Sequence, residues 1–250
     1  MPTILMPIPS AGFDPTEVAV PWKILRAHGH EVVVATPDGR PGQADPRMLT
    51  GEGLAVFAPI LRANADAVQA YGEMERSPEF QHPISYEAMT ARTFDALLLP
   101  GGHAPEMKEY LESSQVQAKI IEMAERSKPI GAICHGVLVA ARSRTAAGTS
   151  FLFGKRTTAL TKPQELSAWW LTRAWLGDYY RTYPETTVED EVRKAEPREF
   201  DRGPWSVTRD SPTNLAAGFT VRDGSYLSAR WPGDAHRFGT EFAELVASSS

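Results

Sequence analysis

The stretch FDALLLPGG, residues 94–102, is a continuous apolar run closed by Pro-Gly-Gly. It is too short for a helix, and it lacks the polar alternation of a strand with one wet face. A run of this kind suits a strand covered on both sides, which occurs in parallel sheets flanked by helices. PIGAIC (129–134) repeats the pattern. Between them MKEYLESSQVQAKIIEMAERS reads as one amphipathic helix, and HGVLVAARS follows as another. At the amino terminus TILMPIP (3–9) is a short apolar strand. Asp14-Pro15 then opens a helix with a capping residue and a first-turn proline, and EVVVATP (31–37) is a β-branched strand. Pro21 should bend that helix or split its start. Strands alternating with helices predict a parallel sheet with helices on both faces, and ligands then bind at the carboxyl ends of the strands.

The remainder is less regular. Residues 39–92 are a long decorated connection with helical stretches such as PILRANADAVQAYGEM. RTTALT (156–161) reads as a strand and PQELSAWWLTRAWLG as a Trp-rich helix. Residues 178–215 are charged and nearly aperiodic, suited to a lid or a dimer surface. FTVRDGSYLSAR (219–230) carries the Asp-Gly signal of a hairpin, and GDAHRFGTEFAELVAS closes as a helix. A single domain over 1–250 is expected, with insertions near 39–92 and 178–215. A hydrophobic share of 42% supports a real core. A net charge of −5 with no Lys/Arg run argues against nucleic acid. The first apolar run is cut by prolines well short of the ~18 residues of a membrane span, and no basic stretch precedes it. No membrane association is therefore expected. One cysteine permits no internal disulfide, so a cytoplasmic location is the simplest expectation.

That cysteine, Cys134, ends an apolar strand where a helix begins at once. Ala132 and Gly136 stand two residues to either side. A sharp strand-to-helix turn needs small neighbours because the backbone around its apex is crowded, the logic of G-x-S-x-G, written here A-I-C-H-G. The helix amino terminus would lower the thiol's pKa and offer N–H groups to a developing oxyanion. His135 could assist proton transfer. The residues alone leave two readings open, a nucleophile and a small buried hydrophobe.

The segments ALLLPGGHAPEMKEYL and KPIGAICHGVLVAA, with GFDPTEVAVPWKILRAHGHEVVVATP, resemble the ThiJ/PfpI superfamily of class I glutamine amidotransferase-like proteins across most of residues 1–175. The resemblance implies a flavodoxin-like three-layer α/β/α sandwich with a mostly parallel sheet and Cys134 at the nucleophile elbow. It also implies that Glu17 faces the thiol as general acid/base, although the spacing Asp14-Pro15-Thr16-Glu17 equally suits a capping box. By resemblance the N–H groups of Gly102 and His135 form an oxyanion hole, with Gly101 a candidate to line the substrate pocket; His103 then lies at the mouth of the site, where it suits a solvated loop residue and a substrate contact equally. Glu165 stands where relatives place an acid that orients the elbow histidine. As a first-turn helix residue after Pro163, it could equally serve the helix dipole.

Other candidates carry less. Asp234 is read as a helix cap, His28 and His30 as solvated, and His82 as isolated. The aromatic group Trp169, Trp170, Trp175, Tyr179 and Tyr180 is read as core or dimer interface that could also wall a pocket. No metal signature and no G-x-G-x-x-G follows the first strand, so neither metal nor cofactor is expected. The expectation is a cofactor-free cysteine enzyme acting on a small carbonyl compound, converting an α-oxoaldehyde to a hydroxy acid or deglycating. A homodimer is expected on general grounds. The rivals are a hydrolase or hydratase of amide, peptide or isonitrile carbons, and a stress chaperone or cysteine redox sensor.

Overall fold

A computed structural model describes residues 1–249. The strands of the main sheet are β1 (Thr3–Pro7), β2 (Glu31–Thr36), β3 (Ile84–Ser85), β4 (Ala96–Leu99), β5 (Ile130–Ile133), β6 (Thr220–Asp223) and β7 (Tyr226–Ala229). They form one seven-stranded sheet in the order β6-β7-β5-β4-β1-β2-β3. Every pairing is parallel except the β6–β7 hairpin. The longer helices are α1 (Pro15–Ala27), α2 (Ala65–Glu75), α3 (Ser114–Glu125), α4 (Gly136–Arg142), α5 (Lys162–Leu176), α6 (Val188–Lys194) and α7 (Ala235–Ser248), of which α1, α3, α4 and α7 pack against the sheet. Helix α1 packs with α2 and α7, while α3 and α4 pack together with α6 beside α4. The result is the flavodoxin-like three-layer sandwich.

The chain moves outward from β1 to β2 and β3, then returns past β1 to β4. This reversal opens a crevice beyond the carboxyl ends of β1 and β4, where loops diverge rather than run side by side. All four residues of β4 and all four of β5 are buried, as their unbroken apolar runs require. Asp14 caps α1 by accepting from the Thr16 and Glu17 amides at 2.8 and 3.1 Å.

Several elements differ from the sequence-based expectation. Helix α1 runs unbroken through Pro21, so that proline does not split it. The stretch 105–125 is divided: a short turn of helix ends near Leu111, and Ser113 caps α3 by accepting from the Val116 amide. The stretch 58–75 is likewise broken before α2. Of RTTALT, only Arg156–Thr157 is extended, pairing with Glu199–Phe200 outside the main sheet. Asp234 does not cap α7. Its carboxylate is taken by Arg230, at 2.9 Å in a fully buried pair, and by the Phe219 amide. Asp210 instead accepts from the His236 and Arg237 amides at the start of α7. His30 is buried rather than solvated. Trp170 and Trp175 are exposed on this chain and so lie outside its core. Among the described residues no helix is long and apolar enough to cross a membrane.

Candidate active site

Three strand ends meet at the crevice: β1 leads to Glu17 on α1, β4 to Gly101 and Gly102, and β5 to Cys134. Cys134 adopts φ +56°, the left-handed region that non-glycine residues rarely enter. The turn is held from both sides. The Cys134 amide donates to the Ala229 carbonyl at 3.1 Å, and the Val137 amide donates back to the Cys134 carbonyl at 3.2 Å. Gly136 makes the turn possible by close approach, since a Cβ there would stand 2.1 Å from the Leu99 carbonyl oxygen. Gly101 is constrained in the same way: a Cβ there would meet Glu17 Oε2 at 2.6 Å and the His135 nitrogen at 2.8 Å. The β4 loop thus presses its bare backbone onto both the acid and the elbow amide.

Glu17 is completely buried, and neither carboxyl oxygen has a well-formed hydrogen bond. Burial and the neighbouring Asp14 charge raise it well above the usual carboxylate range, while the Cys134 thiol and Gly101 amide that it faces offset part of this. Burial likewise pushes the Cys134 thiol well above its ordinary value, and the Glu17 charge adds to it. This reverses the expectation that the helix start would make Cys134 a thiolate, because desolvation outweighs the dipole of a single short helix. Burial and mutual repulsion therefore keep both groups neutral at rest, Glu17 as the protonated acid and Cys134 as the thiol.

His135 lies beside them. Its Nδ1 is 3.4 Å from Cys134 Sγ, and its Nε2 is 3.3 Å from Thr182 Oγ1. Burial lowers its pKa to about 3, with His103 and Arg142 contributing. The network sets the tautomer. Thr182 commits its only hydroxyl proton to the His103 carbonyl at 2.7 Å, so it must accept from His135 Nε2–H. That leaves a lone pair on Nδ1 facing the thiol.

Glu165 does not occupy the place beside His135. Its Oε2 accepts from the Val188 amide at 2.8 Å, and its Oε1 is 3.3 Å from Arg181 Nε. Burial raises it to about 7 against the pull of these two partners. Glu165 still lines the cavity above Cys134, as do Gly102, His103 and Tyr180. His103 is mostly buried rather than loose at the mouth, stacked on Tyr180 with ring centroids 4.3 Å apart. Burial lowers its pKa, against the Asp45 and Asp14 charges that would raise it.

The sequence missed two residues here, Thr182 and Arg209. Both lie in the aperiodic 178–215 segment, where no spacing signals a role. Arg209 reaches the same cavity, donating to the Ile60 and Leu61 carbonyls at 3.1 and 3.4 Å. Burial lowers its pKa against the Asp14 and Glu17 charges. Among the described residues no cluster of three or more His, Cys, Asp or Glu side chains is arranged to hold a metal ion.

A parallel sheet reversing beside a left-handed cysteine, with a buried acid on the helix that follows β1, defines the elbow-cysteine class of α/β proteins. Residues 8–197 match the family described as ThiJ/PfpI family-like, and the chain belongs to it. It is 31% identical over 237 residues to a deglycase of Pyrococcus abyssi, spanning 94% of this chain and 93% of that protein. It is also 31% identical over 117 residues to an uncharacterized protein of Schizosaccharomyces pombe. That match takes in 46% of this chain and only 42% of the yeast protein's length. The crystal structure of glyoxalase III from Candida albicans aligns with a TM-score of 0.69 at 17% identity, covering 99% of this chain and 96% of that one. At this identity the likeness is one of fold.

Proposed function

We propose that the protein is a cofactor-independent glyoxalase-type enzyme, using Cys134 to convert an α-oxoaldehyde to the corresponding α-hydroxy acid. One observation carries the reading: the Cys134 thiol stands between an unpartnered buried carboxyl, Glu17, and the Nδ1 lone pair of His135 at 3.4 Å. The deglycase and glyoxalase III names among its relatives support the same chemistry.

The cycle balances with these groups alone. Cys134 Sγ bonds to the aldehyde carbon as its proton passes to His135 Nδ1, and Glu17 protonates the new oxygen to give a hemithioacetal. The Gly102 and His135 N–H groups stabilise that oxygen as charge develops. Glu17, now ionised, removes the proton from the thiol-bearing carbon. The released pair forms an enediol as the ketone oxygen takes the proton held by His135. Glu17 returns its proton to the neighbouring carbon, and the other enediol hydroxyl yields its proton to His135, leaving an α-hydroxy thioester. Water then adds as Glu17 takes its proton, and Sγ departs with the proton from His135. The aldehyde carbon is oxidised, the ketone carbon is reduced, and one water is consumed.

The low basicity of His135 suits this passing role, since a proton left there is quickly given up. The test is conversion of methylglyoxal to lactate without glutathione. Native protein should turn over, Cys134→Ala should lose at least ~10³-fold, and Glu17→Gln ~10²-fold or more in kcat. Equal rates in native and Cys134→Ala protein would overturn the reading.

A further inference from the structure

The cavity above Cys134 is larger and more apolar than the chemistry needs. Its volume is ≈ 170 Å³. A dry apolar cavity of about 150 Å³ takes one benzene molecule, whereas methylglyoxal would place only a methyl group there. Glu17 and Cys134 meet at the floor, and Glu165 and Arg209 are among the polar groups that line the cavity beside apolar ones. The walls above them are built from segments distant in sequence. Ile60 comes from the long 39–92 connection, Leu171 from α5, Trp205 and Val207 from the 178–215 segment, and Trp231 from the end of β7.

Four of these side chains remain exposed although they converge on one opening: Ile60 at 59%, Leu171 at 40%, Trp205 at 61% and Val207 at 69%. Single exposed apolar residues are ordinary on a protein surface, but several around one mouth mark a surface that something apolar covers. Arg209 braces this wall. It joins the 203–209 stretch to the Ile60 and Leu61 carbonyls, and its guanidinium lies 5.5 Å from the Trp231 ring centroid.

We propose that this cavity selects an electrophile bearing an aromatic ring or an apolar group of that size, held between these walls with its reactive carbon at Cys134. Resting on the glyoxalase reading above, this makes the preferred substrate an aryl or bulky alkyl oxoaldehyde. Apolar area removed from water would then contribute to binding where methylglyoxal offers almost none.

The experiment compares kcat/KM for phenylglyoxal and methylglyoxal, each divided by the compound's reaction rate with free N-acetylcysteine. The corrected ratio should favour phenylglyoxal by at least ~10-fold, within the range that one or two added apolar groups give in a hydrophobic site. Trp205→Ala and Leu171→Ser, both at exposed positions, should bring the ratio toward one. Turnover of both compounds with a corrected ratio of one or below overturns the inference and leaves the glyoxalase reading standing. Turnover of neither overturns that reading, and the cavity is then tested directly by alkylation of Cys134 with 2-bromoacetophenone and with bromoacetone. A phenyl preference of ~10-fold over free thiol, lost in the two variants, supports selection by the cavity, and equal corrected rates overturn it.

Discussion

The floor of the site and its walls are built on different principles. Glu17, Gly101 and Cys134 sit where buried parallel strands end, and their positions follow from the sheet: the β4 loop lies against Glu17 and the elbow amide at less than 3 Å from a notional Cβ. The walls come from the 39–92 connection, α5 and the 178–215 segment. They are joined by isolated contacts, such as Arg209 to the Ile60 carbonyl and Trp175 Nε1 to the Gly53 carbonyl at 2.7 Å. A floor made of close-packed backbone tolerates no added atom, whereas walls made of side chains can change shape without disturbing the sheet. Under the function proposed above, the floor would carry the reaction and the walls the choice of substrate.

The sharpest way to break this comparison is Gly136→Ala. Its Cβ would stand 2.1 Å from the Leu99 carbonyl oxygen and 2.7 Å from that of Pro100, both backbone atoms that cannot swing aside. A loss of at least ~3 kcal/mol is expected in denaturant unfolding. Near-native stability would mean that the floor yields as easily as the walls.

Next in size is Glu165→Gln, at the joint between α5 and the start of α6. Burial raises the Glu165 pKa from 4.5 to about 7. An acid whose folded value is raised contributes stability that is full below about pH 4.5 and is lost as the pH rises through about 7. The neutral Gln variant should therefore match the native protein near pH 4 and become more stable than it above pH 7, by up to ~3 kcal/mol. The check is urea unfolding at pH 4.5, 6 and 8. A variant less stable at every pH would show that the Arg181 ion pair outweighs the cost of burial.

The smallest effect concerns Thr182, whose hydroxyl is the hydrogen bond by which a wall segment acts on the floor. Thr182→Val removes the acceptor for His135 Nε2–H, so the ring can shift its proton to Nδ1 and present a donor to the thiol. We expect a fall of ~10-fold in the alkylation rate of Cys134 and in kcat, with Thr182→Ser restoring most of it. Nitrogen chemical shifts of the imidazole should report the change of tautomer. If the valine variant keeps both the rate and the tautomer, Thr182 does no more than pack.

How much was legible in the sequence follows this same line. The runs ALLL and IGAI announced buried parallel strands, because a strand covered on both faces must be apolar at every position. The small residues around Cys134 announced the turn: Cys134 takes φ +56°, and Gly136 leaves the room that the Leu99 carbonyl needs. The partners of individual side chains were not legible. Asp234 stood at the start of a helix, and local spacing made it a cap, but Arg230 claims its carboxylate and Asp210 caps from a distant loop. Local sequence leaves Glu165 open between a partner of the elbow histidine, as the resemblance implies, and a first-turn helix acid; in the fold Thr182 is the partner of His135 Nε2.

The sequence by itself determined the layered sheet, the crevice at its reversal and the cysteine at the turn, because each depends on apolar periodicity and steric crowding among neighbours in the chain. Only the tertiary structure decided the protonation of the site and the identity of its walls. Burial raises Glu17 and Cys134 together and suppresses His135, and burial is a property of what the rest of the chain places around a residue. Thr182 and Arg209 reach the site from a segment without periodicity, so their roles arise from long-range packing that local pattern does not encode.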